Sequence, residues 1–257
     1  MDELRLYHIL NSRLEYVEAI HESEQKVLDL IENYSIFTKR VKGKDESPLQ
    51  WAVANSSIAF LNEILKNGVK PKPAKLLTLG MSYYHGAYRP LNVLKVFQSN
   101  GYQIDSELAT SFYLSLIAEE YFLTKQSTND FECFRYLFSL GADINAFQKT
   151  NWCMNGLMSS FAGQSPELTK FLLELGADPN LTNKNEVTPL IFACGKPPGG
   201  GMELLENTAI VQMLLDSGAD IHYRIGKTQD ALYWAKRSKN QETVKLVQEY
   251  IEKRKGI

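Results

Sequence analysis

The 257-residue sequence predicts an all-α fold, a solenoid of about seven helix-turn-helix repeats with finger hairpins or loops, degenerate in its N-terminal half. Two recurring phrases and one constant spacing predict it. SLGADINA (139–146) returns as ELGADPNL (174–181) and as DSGADIHY (216–223), each after an apolar run of helical type: FRYLF (134–138), TKFLL (169–173) and IVQMLL (210–215). SPLQWAVA (47–54) returns as TPLIFACG (188–195) and, more weakly, as DALYWAKR (230–237). Pro48 to Gly68 is 20 residues and Gly176 to Pro189 is 13, which defines a unit of 33. Projected along the chain, the proline slot falls at Glu15, Pro48, Met81, Leu114, Gly156, Pro189 and Ala231, in steps of 33, 33, 33, 42, 33 and 42. The 216 residues from Glu15 to Ala231 therefore hold six units of 33 and 18 inserted residues.

Each phrase has a physical sense. In SPLQ and TPLI a hydroxyl residue can cap a first helix of about nine residues, and proline takes the first helical position, where its missing N–H costs nothing. In LGAD the glycine suits the left-handed residue that ends a second helix, and Asp-x-Asn favours the turn that follows. A unit of this kind cannot bury its apolar face alone, so neighbours on both sides complete the core. Trp51, Ala52, Phe60, Leu61 and Leu65 fit that role in the second repeat. Phe171, Leu172, Leu190, Phe192, Met213, Leu214 and Leu215 fit it in the later ones.

The phrases resemble the ankyrin repeat, whose pattern runs TPLHLAA, then a second helix rich in Val and Leu, then GADVNA. The resemblance covers nearly the whole chain and is clearest around 44–75, 149–183, 184–225 and 226–255. It is degenerate at 11–34 and 76–148: the third repeat has Gly80-Met81-Ser82 in place of Thr-Pro-Leu, and the fourth has no version of that phrase.

Taken in order, DELRLYHIL (2–10) is an amphipathic cap helix, followed by repeats at 11–42, 43–75, 76–108, 109–148, 149–183, 184–225 and 226–257 in a single domain. Insertions near 119–130 and 195–208 lengthen the link between the paired helices of repeats four and six. A smaller expansion of two residues lies in the finger at 146–155. Such loops are tolerated because closing a longer loop costs little, and on a rigid scaffold they also serve as contact sites. The last helix, within 240–257, keeps Val244, Leu246, Val247, Tyr250 and Ile251 and adds polar residues from Gln241 to Lys255, as a terminal repeat requires.

Composition and motifs exclude several function classes. Lys and Arg number 28 against 30 Asp and Glu, a balance unlike that of a general nucleic-acid binder. No apolar run approaches the roughly 18 residues of a membrane span, and Met1-Asp2-Glu3 is no signal peptide start, which points to a cytoplasmic protein. Cys133, Cys153 and Cys194 form no CxxC pair, and His8, His21, His85 and His222 are scattered, so neither a disulfide framework nor a metal site is expected. KPPGGGMELL lacks the lysine and hydroxyl residue of a phosphate-binding loop. No nucleophile elbow, zinc-binding helix or dinucleotide turn appears. The expectation is a non-enzyme without cofactor.

The resemblance implies binding on a concave face built from finger tips and first helices. The matching finger positions are Lys44, Glu46, Lys149, Trp152, Lys184, Asn185, Arg224 and Lys227. The variable slots late in the first helix include Asn55, Tyr88, Glu120, Tyr121 and Arg237. Tyr, Trp and Arg dominate interface energies, which favours Trp152, Tyr88, Tyr121 and Arg224. Charge falls in blocks, with net −5 over 1–34, +5 over 35–75, −7 over 76–223 and +5 over 224–257. The acidic block counts Asp105, Asp143, Asp178 and Asp220 at the GAD position, and suggests a basic partner. The expected function is a scaffold, monomeric when alone, that blocks or sequesters one specific protein; an immunity protein against a bacterial toxin or effector has this form. The alternative is a small-molecule-binding protein or enzyme with a pocket between the inserted loops, using Tyr83, Tyr84, His85 and Arg89.

Overall fold

The computed structural model describes residues 58–66, 90–122, 131–150, 153–163, 165–195, 208–238 and 240–255, and all structural statements concern these. The expected cap helix at 2–10, the repeat at 11–42 and the core residues Trp51 and Ala52 lie outside them, as does the side chain of Phe60. Ten helices are described: α1 Ile58–Lys66, α2 Pro90–Ser99, α3 Ser106–Phe122, α4 Phe131–Ser139, α5 Gly156–Ala162, α6 Pro166–Glu174, α7 Pro189–Cys194, α8 Thr208–Asp216, α9 Ala231–Ser238 and α10 Gln241–Lys255. In place of strands, two isolated antiparallel bridges, Phe147 with Asn155 and Ile225 with Gln229, mark fingers among the described residues. The chain divides into two compact units, Met1–Ala109 and Thr110–Ile257.

In the first unit α1 packs along α2. Leu61 and Leu65 of α1, with Leu91, Val93, Leu94, Val96 and Phe97 of α2, bury the apolar stripes that helical spacing puts on one face. The Asn100 amide donates to Asn62 Oδ1 at 2.8 Å, which fixes the register of the pair. Past α2, Gly101 takes φ +86° and the Tyr102 ring meets Phe97 edge-on at 5.2 Å between centroids.

The second unit is built in two layers. First helices α5, α7 and α9 lie side by side, second helices α6, α8 and α10 lie side by side, and α5–α6, α7–α8 and α9–α10 form the hairpins. The core between them holds Leu157, Met158 and Phe161 of α5, Leu168, Phe171 and Leu172 of α6, and Leu190, Ile191 and Phe192 of α7. Ile210, Val211, Leu214 and Leu215 of α8, Ala231, Trp234 and Ala235 of α9, and Val247 of α10 continue it. Met213, expected in the core, is only half-buried, because it sits between the buried positions 211 and 214 on the flank of α8.

The terminal signals act as the sequence suggests. Thr188 caps α7 by accepting the Ile191 amide, with Pro189 at the start of the helix, and Asn155 and Ser165 cap α5 and α6 in the same way. Asp230 and Asn240 take the role for α9 and α10, accepting the amides of Tyr233 and Thr243 at 2.9 Å each. Gly141, Gly176 and Gly218 take φ of +88°, +90° and +87° after α4, α6 and α8. At each site the glycine amide bonds to the carbonyl three residues back and the following alanine amide to the carbonyl five back, a Schellman ending. Ala177 and Ala219 are buried at this step, so the alanine of GAD is a packing residue.

Three sequence expectations are corrected. The short first helices run 7, 6 and 8 residues in α5, α7 and α9, below the expected nine, because the following turn begins within two turns of the cap. In repeat four the projected proline slot is Leu114, but α3 starts at Ser106 and runs 17 residues. The helix takes up residues that form a finger elsewhere, and it also absorbs 119–122 of the expected insertion. Asp105 is the cause: it lies four residues past Gly101, whereas Asp143, Asp178 and Asp220 lie two past their glycines. Its carboxylate accepts the Leu108 amide at 2.8 Å and starts the helix there, so Asp105 is a helix cap and not a GAD aspartate.

Candidate functional site

Three successive fingers, all in the second unit, form the candidate surface. Each starts from an Asp-x-Asn or Asp-x-His turn: the carboxylates of Asp143, Asp178 and Asp220 accept the amides of Asn145, Asn180 and His222 at 2.8, 2.8 and 2.9 Å. The same three aspartates donate their own amides backwards. Asp143 bonds to Thr110 Oγ1 at 2.8 Å, Asp178 to Asn145 Oδ1 at 2.9 Å and Asp220 to Asn180 Oδ1 at 2.7 Å. Every finger base is thereby bonded to the repeat before it.

The tips are closed by local bonds that hold side chains outward. In the first, the Gln148 amide donates to the Met154 carbonyl at 2.9 Å, and the Cys153 amide turns back to Thr150 with φ +47° at Cys153. In the second, buried Asn183 accepts the amides of Asn185 at 2.9 Å and Val187 at 3.1 Å, and Glu186 takes φ +59°. In the third, the Ile225 amide donates to the Gln229 carbonyl at 3.0 Å around Gly226, at φ +61°. Two side chains link neighbouring tips. Lys184 Nζ donates to the Thr150 carbonyl at 3.4 Å, and the Tyr223 hydroxyl donates to the Glu186 carbonyl at 3.1 Å. Burial, and then the charge of Glu186, raise the Tyr223 pKa, so the hydroxyl stays protonated as a donor.

Of the residues expected to bind a partner, Lys149, Lys184, Asn185, Arg224 and Lys227 stand exposed on these tips. Arg224 Nε lies 3.8 Å from Asp230 Oδ2 with 54% of its side chain exposed. Arg237 is exposed on α9, its guanidinium 5.8 Å from the Tyr233 ring centre and 5.9 Å from that of Trp234. Lys44, Glu46, Tyr88 and Trp152 lie outside the described residues, as do Tyr83, Tyr84, His85 and Arg89 of the alternative reading. Glu120 and Tyr121 fall in α3, but their side chains are also outside what the structure describes.

Sequence reasoning missed Thr150, Glu186 and Tyr223 at the tips. For Tyr223 a signal was present: it occupies the slot held by Ala146 and Leu181 in the earlier copies, and a hydroxyl there can reach the neighbouring finger. Burial, and then Asp230, push the Cys194 thiol up to about 12, and among the described residues no group of three or more His, Cys, Asp and Glu could hold a metal ion. No described helix is long and apolar enough to cross a membrane.

Paired helices joined by bonded fingers define a helical-repeat scaffold. Residues 157–256 match the family model for ankyrin repeats, in three copies. Over 192 residues the chain is 25% identical to a fowlpox virus (strain NVSL) protein described as an ankyrin repeat protein, FPV230, covering 75% of this chain and 93% of the relative. The solved ankyrin repeat domain of human ASB11 matches with a TM-score of 0.60 at 17% identity, over 95% of this chain and 96% of that one, a likeness of fold. The chain is thus similar to ankyrin repeat proteins, by the family match over 157–256 and by fold beyond it. Its repeats indicate a protein-binding scaffold.

Proposed function

We propose that the chain binds one specific protein through its finger tips and first helices, and that occupying this partner, by blocking or sequestering it, is the output. The observation that carries this reading is the finger series: bonded at the base, closed at the tip, and presenting Lys149, Lys184, Asn185, Arg224 and Lys227 to solvent. A preformed surface of this kind loses little entropy on binding. Solvent-facing side chains held by a rigid backbone suit recognition better than chemistry, and the function is not enzymatic. A cytoplasmic location suits three thiols outside any CxxC pair.

Inhibition of a toxin is the finer form of the same reading. It draws on the two stretches that exceed the 33-residue unit, 123–130 after α3 and 195–208, which suit a single cognate partner more than a general adaptor. Affinity capture of the full chain from its native cell is expected to return one stoichiometric protein, and Asn185→Trp together with Arg224→Glu to release it. Capture of no stoichiometric protein, with a small molecule retained on the purified chain, overturns the reading. Where the captured partner is toxic when expressed alone, co-expression of the chain is expected to restore growth; unchanged toxicity removes the inhibitor form and leaves the scaffold.

A further inference from the structure

The finger row carries a charge that the chain as a whole does not. Over residues 147–150, 183–187 and 223–230 there are four cations, Lys149, Lys184, Arg224 and Lys227, and two carboxylates, Glu186 and Asp230, the latter paired with Arg224. Lys149, Lys184 and Lys227 are exposed, and the ion pairs among the described residues, Lys170–Glu174, Arg224–Asp230 and Lys245–Glu249, include none of them. Nor are these cations scattered. Lys184 Nζ reaches the carbonyl of Thr150, the neighbour of Lys149, and Tyr223, the neighbour of Arg224, reaches the carbonyl of Glu186. The positive groups thus follow one another from tip to tip across three repeats.

Like charges held together on fixed backbone repel weakly in water, and a partner of opposite sign relieves that repulsion while steering encounter. The acidic sum of residues 76–223, which suggested a basic partner, counts Asp143, Asp178 and Asp220. Their carboxylates lie at the finger bases and are engaged by backbone amides, away from the tips. We infer that the row of finger tips docks an acidic segment of the partner protein, an Asp- and Glu-rich stretch lying across Lys149, Lys184, Arg224 and Lys227. This rests on the protein-binding reading above and specifies the chemistry of its partner. A protein segment fits better than a nucleic acid, because the chain is not basic as a whole, with 28 Lys and Arg against 30 Asp and Glu, where general nucleic-acid binders are strongly basic.

The test uses the full chain and three fluorescent probes: a Glu- and Asp-rich peptide, a Lys-rich peptide of equal length, and a single-stranded oligonucleotide. The acidic peptide is expected to bind best, and to weaken at least about tenfold between roughly 0.02 M and roughly 0.3 M ionic strength. The triple variant Lys149→Glu, Lys184→Glu, Lys227→Glu is expected to lose that binding by a further tenfold or so. The control Lys170→Glu, Lys245→Glu, on the second helices, keeps it, and thermal melts confirm that both variants fold. Equal binding of both peptides, tighter binding of the oligonucleotide, or an unchanged triple variant overturns the inference. The captured partner separates this failure from that of the parent reading. If Asn185→Trp abolishes its binding while the triple charge reversal does not, the finger surface stands and the acidic segment falls; if neither matters, both fall.

Discussion

Asn180 joins two successive repeats through both ends of its amide: Oδ1 accepts the Asp220 amide at 2.7 Å across 40 residues, and Nδ2 donates to the Gly218 carbonyl at 3.1 Å. Asn145 repeats the first bond to Asp178 at 2.9 Å, and Thr110 makes it to Asp143 at 2.8 Å. The asparagine of the GAD phrase is therefore a coupling between repeats as much as a turn residue, and it sets the spacing of the fingers that carry the binding surface.

Substitution of that residue follows directly. Asn180→Ala removes two bonds and is expected to destabilise the chain by about 1–2 kcal/mol, at the usual net worth of a hydrogen bond. Asn180→Asp keeps the acceptor for Asp220 and loses the donor to Gly218, so it is expected to fall between wild type and the alanine variant. Urea unfolding midpoints of the three proteins check the order. An alanine variant as stable as wild type would show the coupling to be decorative.

Much of this fold was legible in the sequence because the repeat writes the same local solution several times. Gly141, Gly176 and Gly218 end their helices as their phrase predicts, and Thr188-Pro189 starts a helix as a cap pair should. Where the phrase is missing, periodic projection had nothing to anchor it. It placed Leu114 at a helix start that Asp105 had already made eight residues upstream at Ser106. The exposed finger row was legible by slot: Lys149, Lys184, Asn185, Arg224 and Lys227 face solvent at the finger positions. Its continuity was not: the Lys184–Thr150 and Tyr223–Glu186 bonds depend on which residues face each other across fingers, which one sequence does not state.

Gly156 is fixed by a neighbour and not by its backbone. A Cβ there would lie 1.8 Å from the Tyr113 hydroxyl and 3.0 Å from Ile117 Cδ1, while Tyr113 is fully buried and its hydroxyl donates to the Ile144 carbonyl at 3.2 Å. Gly156→Ala is expected to cost about 1–3 kcal/mol, the range for overpacking a filled core. Tyr113→Phe clears the worst contact, so the double variant is expected to be more stable than the sum of the single losses implies. Gly195 gives the contrast: its Cβ would lie 2.7 Å from the Trp234 backbone oxygen, and truncating the Trp234 side chain is expected to bring no such relief. Denaturant melts of the two cycles decide; strict additivity at Gly156 and Tyr113 would contradict the contact.

The three thiols are expected to react at different rates. Cys133 and Cys194 are buried, Cys194 is pushed up to about 12, and Cys153 is half-buried in the first finger. Alkylation of the native protein near pH 8 is expected to modify Cys153 at least about a hundredfold faster than Cys194, because the thiolate and not the thiol is the nucleophile. Peptide mass spectrometry over a time course reads the ratio. Equal rates would mean that α7 opens readily and that the interior of the repeat is not held as described.

The last repeat carries a pH-dependent clamp. The Tyr250 hydroxyl donates to Asp216 Oδ1 and accepts from Gln212 Nε2, fastening α10 to the end of α8, while Gln212 Nε2 also donates to Asp216 Oδ2 at 2.9 Å within α8. These bonds, Tyr250 first, hold the Asp216 carboxyl below its ordinary range, while burial and then the bond to Asp216 raise the Tyr250 phenol. A depressed aspartate contributes stability above its unfolded pKa and loses it as pH falls through the folded value. A raised tyrosine contributes below its unfolded pKa and loses it as pH rises through the folded value. The clamp is therefore complete between about pH 5 and about pH 9 and absent at both extremes. Tyr250→Phe is expected to be less stable than wild type inside that window, with the difference closing only as pH falls below the ordinary aspartate range or rises above the ordinary tyrosine range. Urea midpoints measured across the pH range test it, and a difference that stays constant from acid to alkali would show that the phenol only packs, without charge coupling to Asp216.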